Sequence, residues 1–189
     1  MAKIAMGEQG RVLPMPVAII GSNVDGKPNF MTAAWVSRVF MDPPLIGVAI
    51  NRNHYTWKGI DQTNTFSVNF PGADLVKEAD YCGLYSGHKV DKSTLFDVFF
   101  GKLKTAPMIE QCPLCFECEM VEAEFKSSKS LVIGRIVESY TEERFLTDGI
   151  IDPKKVNPIM LTSPDKHYWT LGEIVADAYA VGHELKEKK

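Results

Sequence analysis

The chain has 189 residues, 45% of them apolar and 24% charged, enough to build a hydrophobic core without disulfides or a structural metal. Its formal net charge of −3 provides no broad positive field, which argues against nucleic acid and anionic membranes as main partners. The longest apolar runs, 16–20 and 45–50, are too short to span a bilayer, and the opening MAKIAMGEQGR lacks a signal-peptide apolar region, so a cytoplasmic location is expected.

The N-terminal half reads as short strands. Residues 17–22 are apolar and bounded by Pro16 and Gly21. The Asp25-Gly26 pair that follows is a hairpin signal, and 30–36 reads as the return strand. Asp42-Pro43-Pro44 interrupts the chain, because neither proline can donate to a ladder. Residues 45–50 form an apolar run expected to be a strand buried on both faces. The stretch 54–62 suits one or two helical turns. Residues 65–70 (TFSVNF) alternate as a strand that Pro71-Gly72 stops. Leu75, Ala79 and Cys82 stand at helical spacing, which predicts a helix over 73–85, and 87–94 is a polar loop. Two further strands, 115–125 and 131–140, flank the polar tip 126–129. A C-terminal helix is expected over 174–189, its last turns carrying lysines that suit the helix dipole. At least six strands with few helices and no βαβ alternation predict a mainly β barrel or sandwich with peripheral helices.

Several motifs compete for a functional reading. The run from Gly21 to Pro28 matches GxxxxGK, but proline replaces the Ser or Thr of a P-loop and no helix follows, so the hairpin reading prevails. No GxGxxG follows a strand, and no GxSxG is present. The four histidines show no metal-ligand spacing. Cys112, Cys115 and Cys118 have the CxxCxxC spacing of cluster ligands. They also sit at the entry to a strand, where Leu114, Phe116 and Cys118 share one face and Cys115 the other. Free buried thiols are therefore expected, and no metal. A third constellation joins small, hydroxyl and aromatic residues at 29–35 to polar donors at 51–56 and 86–92. Small residues let a backbone approach a planar ligand, and Arg, Thr, Ser and Lys are phosphate donors.

At these residues the sequence resembles the FMN-binding split barrels of the flavin reductase-like domain, and within them the flavoredoxin type. The resemblance runs from Pro16-Val17-Ala18-Ile19-Ile20 through Asp25–Trp35, Asp42–Ile50, His54-Tyr55-Thr56, Phe66-Ser67-Val68-Asn69, Ser86-Gly87 and Asp91-Lys92. Glu117-Cys118, Ile133–Val137 and Tyr168–Glu173 continue it, so it covers about 12–175 of a single domain spanning 1–189. It implies a six-stranded Greek-key split barrel that forms a homodimer, with one FMN per subunit near the interface. Asn29, Met31, Thr32, Ala33 and Trp35 take the position of the strand lining the isoalloxazine and ribityl chain. Thr56 with Arg52 takes the phosphate end, Ser86 and Lys92 add contacts to phosphate or ribityl oxygens, and Tyr168 is a ring neighbour. Many relatives carry a late-strand histidine before the Ile-Gly piece, where this chain reads Lys129-Ser130-Leu131-Val132.

The resemblance implies an oxidoreductase with no catalytic side chain of its own, since the chemistry lies on the flavin. Electrons would come from NAD(P)H or a redox protein and pass to flavin, ferric iron or a protein. The alternatives are a flavoredoxin-like carrier with little NAD(P)H activity, and a fold relative that binds no flavin.

Overall fold

A computed structural model describes residues 2–10, 12–126 and 129–186. Seven strands form one antiparallel sheet: β1 (Ala18–Val24), β2 (Lys27–Ala33), β3 (Val36–Phe40), β4 (Leu45–Asn51), β5 (Thr65–Phe70), β6 (Leu114–Lys126) and β7 (Lys129–Thr141). Their order is β2-β1-β5-β6-β7-β4-β3. The helices are α1 (Tyr55–Thr63), α2 (Val76–Leu84) and the short α3 (Pro153–Val156).

The β1–β2 hairpin closes where the sequence places it. Val24 pairs with Lys27, and the two residues between them have φ 51° and 83°, the left-handed pair that a tight hairpin needs. Gly26 takes the larger angle, which a side chain would strain.

The sheet rolls until its inner face encloses a core. Ala18, Ile20, Ala33, Val36, Ile46, Val48, Ile50, Phe66, Val68, Cys118 and Val132 represent all seven strands there, and Trp57 and Ile60 of α1 plug one end. The outer face of β1, β2 and β6 carries a second core with α2, built from Val17, Ile19, Phe30, Ala79, Cys82, Cys112 and Cys115. Two-sided burial explains why six of the seven residues of β1 are buried, Ser22 among them, and why five of the six residues of β5 are buried despite their alternation. The architecture is a mainly β barrel with peripheral helices.

The structure differs from the sequence reading in three places. The expected strand 30–36 is two strands. The chain leaves β2 at Ala33 and crosses to the far edge of the sheet, where β3 pairs with β4, making seven strands rather than six. Only Val36 of β3 is buried, so its apolar pattern is too weak to mark a separate element. The expected C-terminal helix does not form over 174–180. That stretch is irregular and exposed, with Val175 and Tyr179 meeting no core, and only Val181–Leu185 makes a short 3-10 turn; 187–189 lie outside the described residues. An apolar face without a packing partner contributes little to helix formation. The structure also adds small ladders: Val98–Phe100 with Pro107–Ile109, Leu146–Thr147 with Ile150–Ile151, and Met15–Pro16 with Met160–Thr162 and His167–Trp169. Strands of two or three residues are too short to show a period.

The four cysteines are free and buried, divided between the faces of β6 as the alternation predicts: Cys118 lies in the barrel core, and Cys112, Cys115 and Cys82 in the outer core. Burial pushes the Cys82 thiol up to about 11 and the Cys115 thiol up to about 12, and raises Cys112 and Cys118 as well. The thiolate is the reactive form. The native protein at pH 8 is therefore expected to show no fast-reacting thiol toward a chromogenic disulfide reagent. All four should react in denaturant, and a rapid native phase would contradict this packing.

Candidate functional site

β2 is one edge of the sheet and β4 the strand next to the other edge, the two do not pair with each other, and a cleft with two chambers opens between them. The larger, about 810 Å³, is lined by Met31, Thr32, Ala33, Ala34, Trp35, Ala49, Ser130 and Leu131, among others. The smaller, about 180 Å³, is lined by Thr56, Cys82, Tyr85, Ser86, Gly87 and Lys92. Met31, Thr32 and His54 line both, so the chambers form one channel. The large chamber is mostly apolar, while the small one collects cationic and hydroxyl donors.

Local structure explains why the donors converge. Lys92 is only 3% exposed, and its ammonium donates to the carbonyls of Cys82 at 3.2 Å and Tyr85 at 2.8 Å. These carbonyls belong to the last turn of α2 and the residue after it, which no intrahelical N–H satisfies. A cation there suits the helix dipole. An ammonium has three donors, so one remains uncommitted. Desolvation lowers the Lys92 pKa, a penalty that an anion in the chamber would relieve.

Thr56 is buried at the start of α1. Its hydroxyl oxygen accepts from Asn29 Nδ2 at 2.7 Å, and its carbonyl accepts from Ser22 Oγ at 2.9 Å. The hydroxyl oxygen of Ser86 accepts from the His88 N–H at 3.3 Å. Each hydroxyl thus has an acceptor site filled by the protein and its hydrogen available for a ligand. Ser86-Gly87 packs so closely on this network that a Cβ on Gly87 would meet Asn29 Oδ1 at 2.2 Å. The α1 N-terminus also faces the small chamber. No side chain caps it and no acidic residue stands in its first turn, so its backbone N–H groups point toward whatever occupies the chamber.

Eight of the ten expected contact residues gather at the cleft. Met31, Thr32, Ala33 and Trp35 line the large chamber, and Thr56, Ser86 and Lys92 the small one. Asn29 lies beneath, 5% exposed, orienting Thr56 rather than facing the channel. The Thr32 hydroxyl donates to the Ala79 carbonyl, so toward a ligand it can only accept. Trp35, at the mouth, is 69% exposed. Arg52 and Tyr168 line neither chamber. Tyr168 packs on the outer core and donates to Asp80 Oδ1 at 2.8 Å, tying the His167–Trp169 strand to α2. Burial first, then Asp80, pushes its phenol up to about 12. His54 and the bare α1 N-terminus belong to the site but not to the expected contacts. The signal for the latter was the start of a helical run just after the strand-ending Asn51-Arg52-Asn53.

The donor set fits a ligand with an anionic end and a flat apolar body, and a chamber of this size suits a small molecule or cofactor. Among the described residues no three His, Cys, Asp or Glu side chains converge on a metal position, and no helix is long and apolar enough to cross a membrane.

Comparison with known proteins agrees with this architecture. A family model described as "Flavin reductase like domain" matches residues 10–155. Among solved structures, flavoredoxin from Methanosarcina acetivorans is 48% identical with a TM-score of 0.95, over 98% of this chain and 100% of that one. Flavoredoxin of Desulfovibrio vulgaris (Miyazaki F) is 29% identical with a TM-score of 0.89, over 96% and 100%. An FMN-binding protein from Thermus thermophilus with bound 1-cyclohex-2-enone is 25% identical with a TM-score of 0.79, over 94% and 98%.

Lys92 has a structural task that is separable from any ligand. Lys92→Met removes two hydrogen bonds and leaves two partly buried carbonyls unpaired, which should cost about 1–3 kcal/mol. Urea denaturation without added ligand would measure the loss. An unchanged midpoint would mean that the amine does not cap α2.

Proposed function

The chain belongs to the flavin reductase-like domain family, and from that premise we propose that it binds FMN in the two-chamber cleft and works as an electron-transferring flavoprotein. It takes electrons from NAD(P)H or a redox protein and passes them to a second acceptor, which is flavin, ferric iron or a protein. The observation that carries this reading is the set of uncommitted donors in the small chamber, at the end of an apolar channel. Lys92 offers one N–H, Thr56 and Ser86 offer their hydroxyl hydrogens, and α1 offers its N-terminus. Such a cluster matches a phosphate dianion through charge-assisted hydrogen bonds.

Each residue has a distinct task. Lys92 and the α1 N-terminus supply positive potential. Asn29 fixes the Thr56 rotamer so that its hydrogen faces the chamber. Thr32, its own hydrogen spent on Ala79, accepts from a donor on the ligand. Ala33, Ala34 and Ala49 leave room for a flat ring, and Met31 and Trp35 flank it. When bound, FMN supplies the two-electron and one-electron chemistry that side chains lack. The protein binds it, orients it and excludes water from one side. The buried free thiols are compatible with a reducing cytoplasm.

The carrier reading has its own support. Where many relatives carry a late-strand imidazole, Ser130 here spends its hydroxyl on the Ile50 carbonyl at 2.6 Å, and the neighbouring wall residue Leu131 is apolar. A cleft with this wall favours exchange with redox proteins over nicotinamide. NADH oxidation with added FMN distinguishes the two, fast turnover meaning a reductase and negligible turnover a carrier.

A homodimer follows from the same family reading. Trp35, Phe40, Met41 and Leu131 lie 46–71% exposed, apolar surface that a second copy would cover. Sedimentation velocity should give a species of twice the chain mass, and a monomer at micromolar concentration would count against it.

The flavin reading is tested by the visible spectrum of the purified protein, before and after addition of FMN and gel filtration. Oxidised-flavin absorbance is expected in the protein fraction. Thr56→Ala should weaken FMN binding by about 1–3 kcal/mol, the scale of a lost charge-assisted hydrogen bond. A colourless protein, or a Thr56→Ala variant that binds like wild type, would contradict the reading.

A further inference from the structure

We propose that His54 is the proton-linked member of the anion-binding chamber: its imidazole takes up a proton when the flavin phosphate binds beside Lys92, so that FMN is held more tightly as pH falls through the neutral range. The inference rests on the flavin reading above and adds its regulation by pH.

The geometry singles out this histidine. It closes the loop between β4 and α1, its N–H donating to the Asn51 carbonyl at 2.9 Å and its own carbonyl accepting from the Trp57 N–H at 3.0 Å. That backbone clamp sets it at the junction of the chambers, whose walls it shares with Met31 and Thr32. Among the described residues it is the one imidazole lining the cleft, and its ring makes no hydrogen bond to any of them, so both nitrogens are available to a ligand.

The electrostatics give the sign. Desolvation first, and the Lys92 charge second, hold the His54 pKa below the ordinary histidine value, which favours the neutral ring. A phosphate dianion offsets the Lys92 charge and stabilises an imidazolium. The bound pKa therefore lies above the free one, and affinity rises as pH falls between them.

The other groups facing the site do not mimic this. Cys82, with its thiol pushed up to about 11, stays protonated, and Tyr55 and Tyr85 face the small chamber as phenols. Arg52, a guanidinium, stands on the same loop. Glu124 of β6 is the carboxyl group on the wall of the large chamber. His88 is the other imidazole near the site, its ring 4.7 Å from that of Tyr55. The phosphate has its own second ionisation near about pH 6, which acts in the opposite sense, because binding favours the dianion and releases a proton.

Calorimetric titration with FMN at pH 7, in buffers of different ionisation heat, reads the proton balance directly. The wild type should take up a fraction of a proton per FMN and bind about three- to tenfold more tightly at pH 6.5 than at pH 8. His54→Gln should still bind FMN but lose both the uptake and the pH dependence, whereas His88→Gln should keep both. Riboflavin, which lacks the phosphate, should bind without uptake. Wild-type uptake in His54→Gln, its loss in His88→Gln, or FMN binding by the wild type without uptake each overturns the assignment while leaving the flavin reading intact. A wild type that binds no FMN fails that reading, and this assignment with it.

Discussion

One buried hydrogen-bond network holds the site together. Asn29 on β2 and Ser22 on β1 both engage Thr56, one through its hydroxyl and the other through its carbonyl. All three residues are almost fully buried, where an unpaired polar atom costs about 1–3 kcal/mol. The first turn of α1 therefore has little freedom relative to the β1–β2 hairpin. Its orphan N–H groups, the Thr56 hydroxyl and the neighbouring His54 are fixed at the small chamber by the same bonds that complete the fold. Gly87 extends the network, because the loop after α2 can approach Asn29 only without a side chain there.

Lys92 closes the arrangement from the other side. A nearly buried ammonium is tolerated because it satisfies carbonyls at the end of α2. One side chain thus serves the fold and lines the small chamber: two of its donors hold the helix and the third is uncommitted. The α1 N-terminus and the α2 C-terminus meet at the same small chamber, the first supplying positive potential itself and the second anchoring the cation that adds to it.

Much of this was legible in the sequence. Asp25-Gly26 marked its hairpin, TFSVNF its strand, and the alternation along 114–118 sent Cys118 and Cys115 to opposite faces. These signals are local and strong. The pieces at 29–35, 54–56 and 86–92 fall on one cleft because the topology sets β2 beside the loop after β4 and the turn after α2. Other features depended on contacts that a single sequence does not carry. Nothing in residues 30–40 announces that the chain changes sheet edge at Ala34-Trp35. The apolar residues of 174–185 suggest a helix, but without a surface to pack on they form only one short turn. Arg52 and Tyr168 have the right chemistry for the site, yet Tyr168 is committed to Asp80 and the exposed Arg52 lines neither chamber. His54 gained its significance only when the two chambers proved to share it.

A crystal structure of the complex with FMN tests the central claim most directly. The account predicts the phosphate hydrogen-bonded to Lys92, Thr56 and Ser86, and the ring lying in the large chamber against Ala33, Ala34 and Ala49. A second cavity of about 820 Å³ opens elsewhere, over Phe70 and Phe116. Flavin found there, or a phosphate that leaves Lys92 and Thr56 untouched, would contradict the account.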